Sequence, residues 1–104
     1  MNVCRRAAVV AIIWCAVAHF GGVPGGVQHA VEIARRESTF RPEVTSPAGA
    51  MGVYQFMPST WSYHVAHWPA LARAVGRDPY NARANVMFAI RVAHETGWGP
   101  WSTA

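Results

Sequence analysis

Glycine and proline punctuation limits what this 104-residue chain can fold into. The stretch Gly21-Gly22-Val23-Pro24-Gly25-Gly26 stops any helix that enters it. Pro58 suits the first position of a new helix, and Pro69 restarts or kinks that helix toward Val75 and Gly76. Gly97 is a C-terminal stop. The pieces between these marks carry helical periodicity. The spacing predicts a first helix over about 7–20, a second over Val27–Ser38, a third over Pro58–His67 and its continuation to Val75. A last helix follows, with Asp78 as its N-cap, Pro79 in its first turn, and a buried stripe of Ala82, Val86, Ala89, Ile90 and Ala93. Between the second and third helices, Thr39 to Met57 has no helical period. Gly52–Phe56 within it reads as a short strand or hairpin arm. The fold class is mainly α, a compact helical domain over 1–104 with one long loop or small β element.

More than half of the residues are hydrophobic, and only nine basic and five acidic side chains are present. The net charge of +4 favours polyanionic surroundings such as nucleic acid, an anionic membrane or a cell wall. The basic residues are scattered, which argues against nucleic acid. The segment Ala7–Ala18 is apolar, follows Arg5 and Arg6, and ends in Ala16-Val17-Ala18. Two readings stay open for 1–18: a secretion signal with a cleavage site, or the first helix of the domain, the favoured one. The run is too short for a stable membrane span. Cys4 and Cys15 on one helix stand about 16 Å apart along its axis, so they are expected not to pair. His64 and His67 are the only histidines at i, i+3 spacing. With no carboxylate or third histidine nearby in sequence, they read as surface or half-buried residues, and no metal or cofactor is expected.

The second helix places an acid where it should be uncomfortable. Its apolar positions Val27, Ala30, Val31 and Ala34 extend, one step on, to Glu37. Partial burial and the negative end of the helix dipole both raise the pKa of a carboxyl there. A carboxyl protonated near neutral pH is a general acid of the kind glycosidic oxygens need. Glu32, about 140° away around the helix, faces solvent. The plainer reading of Glu37 is a solvated charge at a helix end, or an ion pair with Arg41. The adjoining loop favours the functional reading, since long irregular segments of compact domains are where sites sit. Gly49 and Gly52 let backbone approach a ligand, and Gln55 offers a donor and acceptors. Tyr54, Phe56, Trp61 and Trp68 are candidates to pack sugar faces, although such aromatics more often fill a core.

Taken together, Glu37-Ser38-Thr39-Phe40-Arg41-Pro42 and Ser46-Pro47-Ala48-Gly49-Ala50-Met51-Gly52-Val53-Tyr54-Gln55-Phe56-Met57-Pro58-Ser59-Thr60 resemble the first two motifs of the lytic transglycosylase (SLT) domain, of the goose-type lysozyme-like superfamily. The final Gly97-Trp98-Gly99-Pro100-Trp101 is similar to the end of short versions of that domain. The resemblance covers about residues 10–102 and implies a lysozyme-like helical fold. It also implies cleavage of the MurNAc–GlcNAc bond of peptidoglycan glycan strands by a monomer outside the cell, in the cell envelope or associated with a phage. By position it makes Glu37 the catalytic acid/base, Ser38 a residue that orients it, Gln55 a sugar contact, and Tyr54 and Met57 groove-lining residues. Val53-Tyr54 stands where the family has Leu-Met. The family's Ala-Tyr-Asn third motif has no counterpart, because no tyrosine follows Tyr80.

The acid count bears on mechanism. A two-carboxylate glycosidase needs a second acid across the scissile bond. Of Glu32, Glu43, Asp78 and Glu95, only Glu43 lies in the loop. A lytic transglycosylase needs one acid and yields a 1,6-anhydro end. A hydrolytic muramidase using Glu43, and a catalytically weak wall-binding remnant, are the alternatives.

Overall fold

The computed structural model describes Cys4 and residues 8–101. Five α-helices follow in order: α1 (Val9–Phe20), α2 (Gly26–Ser38), α3 (Pro58–His67), α4 (Pro69–Val75) and α5 (Ala82–Thr96). A 3-10 turn, Gly99–Trp101, closes the described chain. The punctuation acts as the sequence predicts. Gly21 ends α1 in the left-handed conformation, and its N–H bonds the Val17 carbonyl. Pro58 opens α3, Trp68 breaks the path with φ −120° and ψ 72°, and Pro69 opens α4.

Helix α5 is the centre of the molecule. Seven consecutive residues, Ala84–Ile90, are buried, so this helix is apolar on nearly every side. α1 packs on α5 and on α2, and α4 packs on α3 and α5. α1 buries Ile12, Ile13 and Ala16 and exposes Trp14. Residues Val9–Phe20 of the N-terminal segment form a helix, while Arg5 and Arg6 lie outside the described residues. No described helix is long and apolar enough to cross a membrane.

Three expectations are corrected. Cys4 and Cys15 are joined by a disulfide, with 5.3 Å between their Cα atoms. Helix α1 begins only at Val9, so Cys4 is not on it. Its backbone turns at φ 58°, which removes the axial separation that a continuous helix imposes. The last helix begins at Ala82, with Asn81 as N-cap accepting from the Ala84 N–H at 2.9 Å. Asp78 instead accepts from the Tyr80 N–H, making a turn ahead of the helix. That turn leaves the Pro79 carbonyl to accept from Asn85 on α5 and brings the Tyr80 hydroxyl to Thr45 of the long loop.

The loop 39–57 contains only two isolated β-bridges, Thr45 with Met51 and Met51 with Phe56. Gly52–Phe56 is not a hairpin arm. Met51 and Phe56 exchange both backbone hydrogen bonds, and residues 52–55 form the turn between them. Asn85, buried on α5, fastens this turn. Its Oδ1 accepts from the Tyr54 N–H at 2.8 Å, and its Nδ2 donates to the Met51 and Pro79 carbonyls at 3.1 and 2.9 Å. Gly52 is required here. At φ +79°, a Cβ would lie 2.3 Å from the Pro79 oxygen and 2.4 Å from Asn85 Nδ2.

Candidate active site

Glu37 lies in the last turn of α2, continuing the buried Ala30–Ile33–Ala34 face, as the periodicity predicts. The helix ends at Ser38, one residue after Glu37, where Thr39 caps it at φ 52° and Phe40 follows at φ 61°. Two successive non-glycine residues in the left-handed region are costly, about 1–2 kcal/mol each. Such strain gathers at functional sites. The turn throws the chain sideways, so Glu37 faces a depression instead of the next helical turn. Arg41 does not pair with it, because the Arg41 Nε donates to the Ser38 carbonyl. Glu37 makes no hydrogen bond or ion pair with any described residue.

The depression has a volume of about 380 Å³. Glu37, Gln55, Thr60 and His64 supply its polar groups, and Phe56, Met57, Pro100 and Trp101 its apolar walls. Burial pushes the Glu37 carboxyl above the usual carboxylate range, against the neighbouring Arg36 charge, which pulls it down. Glu32 behaves oppositely. Its ion pair with Arg35 holds it below that range. Glu43 is exposed and does not line the depression, so Glu37 is its sole carboxylate among the described residues.

Gln55 reaches the cleft through another left-handed residue, φ 57°. Its Nε2 donates to the Gly52 and Val44 carbonyls at 2.8 and 3.3 Å. With the amide nitrogen committed to the loop, its oxygen is the group left to a ligand. Met57, 42% exposed, forms part of the rim. Ser38 is buried, and its hydroxyl donates to the Ala34 carbonyl one turn back. It fixes the helix end that carries Glu37 and does not face the cleft.

Tyr54 is placed differently from the groove wall the resemblance implies. It is fully buried, and its hydroxyl donates to the Ala30 carbonyl of α2 at 2.7 Å. Burial raises that phenol far above its ordinary range, so it remains a donor. Its own carbonyl accepts from Trp101 Nε1 at 2.8 Å, and its ring stacks on Trp98. Tyr54 therefore ties three parts of the site together from beneath: α2, the loop and the terminal turn. Trp61 is also core, with Nε1 donating to the Arg77 carbonyl.

Thr60, His64, Pro100 and Trp101 also line the cleft, beyond the residues that the sequence patterns single out. Thr60 and His64 stand one turn apart on α3, just after the Met57-Pro58 boundary, a spacing that was available to find them. Burial lowers the His64 pKa, with the nearby His67 charge adding to it. The His64 Nδ1 is sealed from solvent without a partner. Pro100 and Trp101 arrive by a tertiary contact that no local pattern reveals. No group of three or more His, Cys, Asp or Glu side chains suited to a metal ion occurs among the described residues.

A single unpaired carboxyl, raised toward the neutral form and set against an amide oxygen and aromatic walls, is equipped to protonate a leaving oxygen on a polar, ring-shaped substrate. A sequence profile of the family described as Transglycosylase SLT domain matches residues 26–96. No curated protein and no solved structure matches the chain.

Proposed function

The chain belongs to the transglycosylase SLT domain family, lysozyme-like proteins that act on peptidoglycan, and from that premise we propose that it is a lytic transglycosylase with Glu37 as its one acid/base. The observation that carries this reading is the lone, unpaired, half-buried Glu37 on the cleft. In the ground state the protonated carboxyl donates its proton to the oxygen joining MurNAc C1 to GlcNAc. That C1–O bond breaks, and the GlcNAc oxygen leaves as a hydroxyl. The carboxylate then accepts the proton of the MurNAc 6-hydroxyl, whose oxygen bonds to C1. The product is a 1,6-anhydro end; Glu37 is restored, and no water is consumed. Glu43, exposed and off the cleft, is badly placed to position a hydrolytic water, which disfavours the muramidase alternative.

In this reading the Gln55 oxygen and the Met57, Phe56 and Trp101 surfaces hold the sugars. Ser38 and Tyr54 act as positioning residues under α2. The substrate places the protein at the cell envelope or outside the cell, working as a monomer on glycan strands without a cofactor.

Glu37→Gln tests the assignment. The amide keeps the shape and removes the proton. Clearing of purified peptidoglycan should fall about 10²–10⁴-fold while the helical circular dichroism is unchanged. Activity within a few-fold of the parent protein would remove Glu37 from the mechanism.

A further inference from the structure

A second depression, of about 290 Å³, opens beside the cleft where α1, α4 and α5 meet. Its walls carry Phe20, Trp68 and Leu71, and its cations are Arg73 and Arg91, with His67 at the side. No acid lines it. The Arg91 guanidinium sits between two rings, 5.8 Å from the Phe20 centroid and 5.4 Å from that of Trp68. Its nearest carboxylate, Glu95, is 3.7 Å away, beyond hydrogen-bond distance. Arg73, exposed in the last turn of α4, makes no hydrogen bond or ion pair with any described residue. Two guanidinium groups thus line one pocket: Arg73 has no counter-charge among the described residues, and Arg91, beside two aromatic rings, has only the long ion pair with Glu95. That is the arrangement a carboxylate or phosphate fits, since each guanidinium presents a planar pair of donors.

The pocket also adjoins the cleft. His64 lines the cleft and Trp68 lines the pocket, one turn apart, with their rings stacked at 5.4 Å. The two sites share that wall. An acidic group on a chain of two or three residues, spanning about 7–10 Å, can leave a ligand in the cleft and reach over it.

We propose that this pocket is an oxyanion subsite that receives a carboxylate from the peptide stem of the glycan bound in the cleft. The proposal rests on the peptidoglycan reading of the cleft. The same chemistry would accept a phosphate of an anionic wall polymer, so the test separates the two sources.

The test is an NMR titration of the whole chain, observing the Trp68 indole for the pocket and the Gln55 side-chain amide for the cleft. The probes are the free stem peptide with its carboxylates, the same peptide fully amidated, inorganic phosphate, and a soluble GlcNAc tetramer. The stem peptide should shift Trp68 saturably, and the amidated peptide should not. Arg73→Gln and Arg91→Gln should each weaken the stem peptide about tenfold or more, the loss of one charge-assisted hydrogen bond. Arg91→Lys keeps the charge and loses the paired donors, so an intermediate loss is expected, and the undisturbed spectrum of that variant controls for folding. No Trp68 shift with the stem peptide, or equal shifts with the amidated form, would overturn the proposal. Phosphate matching the stem peptide would also overturn it, in favour of the wall-polymer source. A tetramer that shifts Gln55 while the stem leaves Trp68 unmoved sinks this inference alone. A stem that binds while no glycan does leaves the subsite standing and sinks the reading of the cleft.

Discussion

Asn85 should be the most sensitive polar position in the molecule. It is fully buried and supplies three hydrogen bonds, to the Tyr54 N–H and to the Met51 and Pro79 carbonyls. Asn85→Ala deletes all three. The Met51 carbonyl keeps its bond from the Phe56 N–H, so two groups are orphaned, the Tyr54 N–H and the Pro79 carbonyl. Each buried orphan costs about 1–3 kcal/mol, which gives about 4 kcal/mol in all. Small domains are stable by about 5–15 kcal/mol, so a large share of the total is at stake. Thermal unfolding followed by circular dichroism should show a midpoint lowered by roughly 15 °C or more. Asn85→Asp sharpens the test. It keeps the acceptor for Tyr54 but turns an oxygen toward two carbonyl oxygens, so the folded state holds that carboxyl protonated, well above its unfolded value of about 3.9. The deficit against the parent protein should be smallest below that value and should grow as the pH rises toward the raised folded pKa. A loss under about 1 kcal/mol for the alanine variant, or a deficit for the aspartate variant that does not grow with pH, would show that Asn85 does not hold the loop as described.

Gly52→Ala adds a left-handed penalty of about 1–2 kcal/mol and drives a Cβ into the Pro79 oxygen. A loss of about 3 kcal/mol or more in urea unfolding is expected, and a neutral variant would contradict the packing. Deleting residues 1–18 removes Ile12, Ile13 and Ala16 from the faces of α2 and α5. The two isoleucines alone bring about 3–6 kcal/mol of burial, so the shortened chain should lack a cooperative melt; a cooperative one would favour the leader reading. In the proposed mechanism the Glu37 proton must be present, so activity should fall as pH rises through its raised pKa. Arg36→Gln removes the charge that lowers that pKa, so the basic limb of the pH–rate profile should move to higher pH at low salt. A limb that moves down or stays still refutes the assignment.

The helical frame was legible because its signals are local. Pro58, Pro69, Gly21 and Gly97 act on their own backbone wherever the chain goes, and the 3.6-residue period carried Glu37 to the cleft side of α2. Gln55 and Met57, separated in the loop only by Phe56, line the same depression. The Cys4–Cys15 misreading is local, since α1 starts at Val9 and Cys4 turns back, whereas those at the N-cap and at Tyr54 come from competition settled at a distance. Asp78 and Asn81 are both sound caps, and Asn81 prevails where the Pro79 carbonyl must meet Asn85 and the Tyr80 hydroxyl must meet Thr45. Tyr54 looks like a groove residue beside Gln55. It is drawn inward because a turn at Gly52–Gln55 sends neighbouring side chains to opposite sides, one to the cleft and one under α2. Trp101 reaches the cleft through a bond to the Tyr54 carbonyl, 47 residues away, which periodicity does not register.

The central claim is that one carboxyl, without an activated water, cuts the glycan. Digestion of purified sacculi in heavy-oxygen water, followed by mass spectrometry of the released muropeptides, tests it directly. The account predicts 1,6-anhydro-MurNAc ends free of the heavy isotope, and their disappearance with Glu37→Gln. Reducing MurNAc ends that carry the heavy oxygen would contradict it and make the protein a hydrolase.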